Sequence, residues 1–173
     1  MYLISVYFDD KSNRILQRYI DRIAGETGNR FMTEHSVPPH MTISSIEAKN
    51  AEVLKPVFAS LQGEIACGKI TFVSVGQLLP YVFYLAPVMN DYLWKLSGQV
   101  YDVFQKIPQT KISKYYQPSS WLPHVTLGKC LTHRQMQTAL AAMQDSFVPF
   151  TAKVTEIGLA KVNPHEDVMR FLL

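Results

Sequence analysis

The sequence predicts an α+β fold of two packed lobes, with antiparallel sheets around a central cleft. Three observations predict it. Short stretches alternating with period 2 are interleaved with apolar stripes of period 3.6. The order strand, helix, strand, strand occurs twice, over residues 39–87 and 123–173. Two sets of residues also match at a spacing of 84 positions: Pro39-His40-Met41-Thr42-Ile43 with Pro123-His124-Val125-Thr126-Leu127, and Lys69-Ile70-Thr71 with Lys153-Val154-Thr155. No linker rich in Gly, Ser or Pro separates the halves, so residues 1–173 read as one bilobal domain with a pseudo-twofold repeat.

Each element has a local reason. Tyr2, Ile4, Val6 and Phe8 alternate with Leu3, Ser5 and Tyr7, the pattern of a strand. Asp9, Asp10 and Ser12 are N-cap candidates for a helix whose face is Ile15, Leu16, Tyr19, Ile20 and Ile23, with Gly25 and Gly28 to stop it. Pro38-Pro39 introduces a strand over Met41–Ile46. A helix over residues 51–61 contains Pro56, which is tolerated only in a first turn, so it begins late or kinks. Strands over 69–75 and 79–86 follow. Asn90 or Asp91 caps the clearest helix, striped by Leu93, Leu96, Val100, Val103, Phe104 and Ile107 and ended by Pro108. After a loop over 109–123 come a strand (124–131), a helix (132–147) and two strands (152–161 and 167–173).

Composition excludes several classes. At 47% hydrophobic and 18% charged residues, the chain is a folded domain and not a solvating, disordered segment. Its longest apolar region, Val73–Val88, is broken by Gly76, Gln77 and Pro80, short of the ~20 residues a bilayer requires. The opening MYLISVYFDD has neither a basic n-region nor a small-residue cleavage site, so a cytoplasmic location is expected. Cys67 and Cys130 make no disulfide framework and no CxxC zinc site, and read as free, half-buried thiols. The net charge of +3 is spread thinly. It suits an anionic substrate of one or a few nucleotides, not a duplex, which calls for a concentrated basic stripe. A monomer with no membrane partner is expected.

The doubled Pro-His-apolar-Thr-apolar motif carries the chemistry. In a strand, residues i and i+2 share a face, so His40 and Thr42 point one way and Met41 and Ile43 the other. The same holds for His124 and Thr126 against Val125 and Leu127. If a pseudo-twofold axis relates the halves, two imidazoles and two hydroxyls meet across one cleft. Opposed histidines suit in-line displacement at phosphorus, one neutral ring accepting a proton while the other, protonated, donates one to the leaving oxygen. The Thr hydroxyls can donate hydrogen bonds to the non-bridging oxygens. The scheme calls for no metal and no cofactor.

Two H-x-T-apolar motifs in a duplicated chain of this length resemble the two-histidine (2H) phosphoesterase superfamily, within it the 2'-5' RNA ligase-like and cyclic phosphodiesterase branch. The stretch YQPSSWLPHVTLG, Tyr116–Gly128, resembles that family's second motif especially closely. The resemblance implies a bilobal α+β fold with its site in the central cleft. It also implies metal-independent action on 2',3'-cyclic phosphates or 2'-5' phosphodiester bonds of RNA ends or small nucleotides, with reversible 2'-5' ligation as a companion activity. It makes His40 and His124 the acid–base pair and Thr42 and Thr126 the phosphate-binding hydroxyls.

Blander readings stand beside these. Thr is an ordinary strand residue, and only the neighbouring histidines give Thr42 and Thr126 a function. Tyr115, Tyr116 and Trp121 are candidates to stack on a base, set against ordinary packing of loop aromatics. Ser44, on the His40 and Thr42 face with Gly128 as its counterpart, reads as structural. Lys111 and Lys114 read as solvated, and His35, His133 and His165 as surface residues. A non-catalytic nucleotide- or RNA-binding module of the same fold is the competing class. A zinc site from His40, His124 and a carboxylate lacks the expected ligand spacing.

Overall fold

In the computed structural model, which describes residues 1–35, 37–162 and 165–173, every strand pairing is antiparallel. The elements run β1 (Tyr2–Phe8), α1 (Asp10–Thr27), α2 (Phe31–Glu34), β2 (Met41–Glu47), α3 (Lys55–Ala59), β3 (Gly68–Leu78), β4 (Val82–Pro87), α4 (Asp91–Phe104), β5 (Lys111–Ile112), β6 (Val125–Gly128), α5 (His133–Gln144), β7 (Phe150–Lys161) and β8 (Glu166–Leu172). Strand order is β1-β2-β6-β4-β3-β7-β8, with β5 on β2 and a further pairing of β1 with β7. That last pairing closes a circuit of six strands, and β7 is long enough to serve β3 with its first residues and β1 with its last.

The helices form for the reasons their sequences give. Asp9 caps α1 by accepting a hydrogen bond from the Ser12 amide at 2.9 Å, and Gly28 ends it in the left-handed region, φ 70°. Asn90 caps α4 through the Leu93 amide at 3.0 Å, and Thr132 with Gln135 forms a capping box on α5. Leu16, Ile20 and Ile23 of α1 and Leu93, Leu96, Val100 and Phe104 of α4 are buried in one apolar core with Met41, Val125, Phe72 and Phe83.

Some local expectations are corrected. Gly25 lies within α1 and does not stop it. The helix expected over 51–61 shortens to Lys55–Ala59, with Pro56 in its first turn. The 109–123 loop contains β5 and a 3-10 turn at Lys114–Tyr116. Both thiols are exposed, not half-buried.

The repeat is also longer than residues 39–87 and 123–173. β1 pairs β2 as β4 pairs β6, so β4 corresponds in space to β1 and not to β8. The lobes are therefore β1-α1-β2-α3-β3 and β4-α4-β6-α5-β7, and β8 is an addition with no counterpart. At both seams between lobes a residue faces its own repeat mate: Met41 pairs with Val125, and Lys69 with Lys153. A local twofold axis requires this.

Candidate active site

The seam between β2 and β6 assembles the site. Met41 and Val125 face each other and are fully buried, so both point into the core. One residue to either side, the antiparallel register sets His40 beside Thr126 and Thr42 beside His124, with Cα atoms ~4.5–5.5 Å apart. All four side chains lie on the face away from Met41 and Val125. Two imidazoles at opposite corners and two hydroxyls at the others form a compact polar patch, with the Ser5 hydroxyl 3.4 Å from that of Thr42.

Each ring is aimed the same way. His40 Nδ1 lies 2.9 Å from the Pro38 carbonyl, and His124 Nδ1 lies 2.8 Å from the Leu122 carbonyl. A carbonyl only accepts, so Nδ1 carries the hydrogen in both, and Nε2 is left free to exchange a proton. Pro39 and Pro123, both buried, turn the chain so that the carbonyl two residues before each histidine reaches back to its ring.

A tyrosine flanks each imidazole. The Tyr7 and His40 ring centroids are 6.2 Å apart, those of Tyr84 and His124 5.1 Å. Both phenols need a glycine behind them. A Cβ on Gly158 would come within 2.9 Å of the Tyr7 ring, and one on Gly76 within 2.4 Å of the Tyr84 ring. Sequence reasoning missed all four residues. The only available signal was Gly158 inside one strand pattern and Gly76 just past the end of another, glycines that mark close approach by a neighbour.

Symmetric bulges bound the patch. Ser5 pairs with Thr42 but Ile4 with Ser44, and Tyr84 pairs with Thr126 but Phe83 with Gly128. Each motif strand thus carries one extra residue, Ile43 or Leu127, immediately after its threonine. This corrects the placing of Ser44 and Gly128 on the histidine face. Beyond the bulge Ser44 is 1% exposed, its hydroxyl without a partner among the described residues, and a Cβ on Gly128 would meet Leu131 and Ile23 of the core.

The aromatic loop divides. Trp121 is only 6% exposed and belongs to the core, where its indole N–H donates to the Thr42 carbonyl at 3.0 Å. It is not available to stack on a base, and it ties the segment before His124 to the motif strand of the other lobe. Tyr116 is half-buried against the core, which pushes its phenol pKa up. Tyr115 is 68% exposed, with Lys114 Nζ 5.2 Å above its ring.

Burial lowers the pKa of both histidines. For His40 it is the largest cause, the Pro38 carbonyl opposes it, and the charges of His165, His124 and Arg170 add to it. For His124 burial lowers and the Leu122 carbonyl raises. His165 is exposed, as a surface residue is expected to be, and its Nε2 lies 3.5 Å from Asp167. Among the described residues no three His, Cys, Asp or Glu side chains come together as a metal site.

The 2'-5' RNA ligase superfamily model matches residues 13–166. Solved structures of the same fold include a phosphoesterase (17% identity, TM-score 0.66, covering 99% of this chain and 97% of that one). Escherichia coli LigT complexed with 3'-AMP is 16% identical with TM-score 0.62, covering 99% and 97%. Usb1 of Kluyveromyces marxianus is 13% identical with TM-score 0.53, covering 99% and 96%. No curated protein matched by sequence. At these identities the likenesses establish the fold, while the family model spans both histidine motifs and nearly the whole chain. With its duplicated strands meeting about a local twofold axis, the chain belongs to the 2'-5' RNA ligase superfamily of two-histidine phosphoesterases.

Proposed function

We propose that the protein is a metal-independent phosphodiesterase that opens 2',3'-cyclic phosphates of RNA ends or small nucleotides, and that the same site acts on 2'-5' phosphodiester bonds in either direction. The observation that carries this reading is the Met41–Val125 register, which fixes two imidazoles and two hydroxyls on one face. The free Nε2 atoms supply a base and an acid on opposite sides of a bound phosphorus. Thr42 and Thr126 donate to the non-bridging oxygens as charge gathers there. Tyr115, exposed beside Lys114, is the remaining loop aromatic able to stack on a base. A small nucleotide as substrate accords with the 3'-AMP named in the LigT complex and with the thin positive charge.

The test is turnover of 2',3'-cyclic nucleotides, 2'-5' dinucleotides and RNA ends bearing a cyclic phosphate, in excess EDTA, beside the His40→Ala, His124→Ala and double variants. Each single variant is expected to lose about 10²–10⁴ in kcat, and Thr42→Val less, with the fold retained. Activity abolished by EDTA overturns the metal-free mechanism. Undiminished turnover by the double variant overturns the site. Tight binding with no product assigns the chain to a binding module instead.

A further inference from the structure

The twofold relation makes the two histidines alike in outline, whereas displacement at phosphorus needs them to differ. β8 breaks the likeness. Among the described residues it pairs only with β7 and no matching strand lies beside β3; it carries Asp167 and Arg170, with His165 just before it. The Arg170 guanidinium carbon stacks 3.6 Å from the centroid of the Tyr7 ring, the same ring that flanks His40. Its Nη1 lies 3.6 Å from Glu156 and its Nη2 3.8 Å from Asp167.

We propose that Arg170, held against His40 by its stack on the Tyr7 ring, is a positioning residue that sets the direction of proton flow, with His40 as the base and His124 as the acid. The proposal rests on the two-histidine reading above. Around His40 stand the Tyr7 ring on β1 and the side chains of His124, His165 and Arg170, while Glu156 on β7 and Asp167 on β8 face the Arg170 guanidinium. The carboxylates of Glu156 and Asp167 engage the guanidinium, and the Arg170 cation opposes a charge on the imidazole. On the other side, burial lowers the His124 pKa and the Leu122 carbonyl raises it. Tyr84 there takes the register position that Ser5 holds beside Thr42.

The step balances. A water oxygen bonds to phosphorus as its proton passes to His40 Nε2. The bond from phosphorus to the ribose oxygen breaks, the oxygen keeping the electron pair and receiving the proton from His124 Nε2. The site ends with His40 protonated and His124 neutral, and proton exchange with solvent restores it.

Imidazole titration of the unliganded protein by ¹⁵N NMR tests the assignment without relying on turnover. His40 is expected to titrate below His124. Arg170→Gln, which removes the cation and leaves Asp167 and Glu156, is expected to raise the His40 midpoint by about 0.5–1 pH unit and leave His124 in place. Arg170→Lys, which keeps the charge, stays near the wild type. A phosphodiester with a p-nitrophenolate leaving group, which departs unprotonated, is expected to restore most of the rate lost by His124→Ala and little of that lost by His40→Ala. His40 titrating above His124, an unmoved His40 in Arg170→Gln, or rescue of His40→Ala in place of His124→Ala overturns the proposal. A protein that turns over no phosphodiester would defeat the functional reading alone, since the titration order is read independently.

Discussion

Trp121 shows how one side chain's environment decides its role. Its ring lies in the core and its N–H holds the carbonyl of Thr42, so it acts on the site through the backbone of the opposite lobe. Trp121→Phe keeps most of the apolar surface and removes the donor, leaving a carbonyl without its partner. The expected loss of stability is about 1–3 kcal/mol, with a fall in kcat larger than any change in KM, checked by urea unfolding and steady-state kinetics. The loop composition suggested an aromatic platform, but burial is a property of the fold around a residue. Nothing in the 109–123 segment distinguishes Trp121, which is buried, from Tyr115, which is exposed.

At the level of strands and helices, legibility followed pattern strength. β1 spans the residues its alternation marks, Tyr2–Phe8, though almost all of them are buried, and α1 and α4 begin at the caps their sequences advertise. The motif faces were readable as well, because period 2 holds from His40 to Thr42 and from His124 to Thr126. It fails one step later, where Ile43 and Leu127 are the extra residues of two bulges. A single added residue reverses the facing of everything beyond it, and no composition marks it. The pairing of β4 with β6 was equally hidden, since the strand order along the chain does not disclose which strand a sheet places beside another. Glycines in β3 and β7 make a prediction at this scale. Gly76→Ala and Gly158→Ala put a methyl group 2.4 Å and 2.9 Å from the Tyr84 and Tyr7 rings. Each ring must shift, and the histidine beside it with it. Each variant is expected to fold, to lose about 1–3 kcal/mol, and to lose at least tenfold in kcat. Denaturant melts and kinetics on the same samples separate the two effects.

For the whole molecule, the depressed histidines tie stability and activity to pH. Burial is the main cause for both rings. As pH falls through the ordinary imidazole value of ~6.5, the unfolded chain takes up protons that the folded chain resists. Stability therefore declines from there toward acid and levels off below the folded values. The double variant His40→Gln, His124→Gln is expected to lose less stability than the wild type between pH 7.5 and pH 5.5, measured by urea midpoints. For the same reason the bell of kcat/KM is expected to centre on the acid side of ~6.5, reporting the free enzyme. One feature bears on how the protein chooses what it cuts. The histidines stand on neighbouring strands of a hydrogen-bonded wall whose pairings close on themselves. Their spacing is thus gauged by the Met41–Val125 pairing of the two strands, and discrimination among ligands falls to the rims of the cleft, where loops are free to differ.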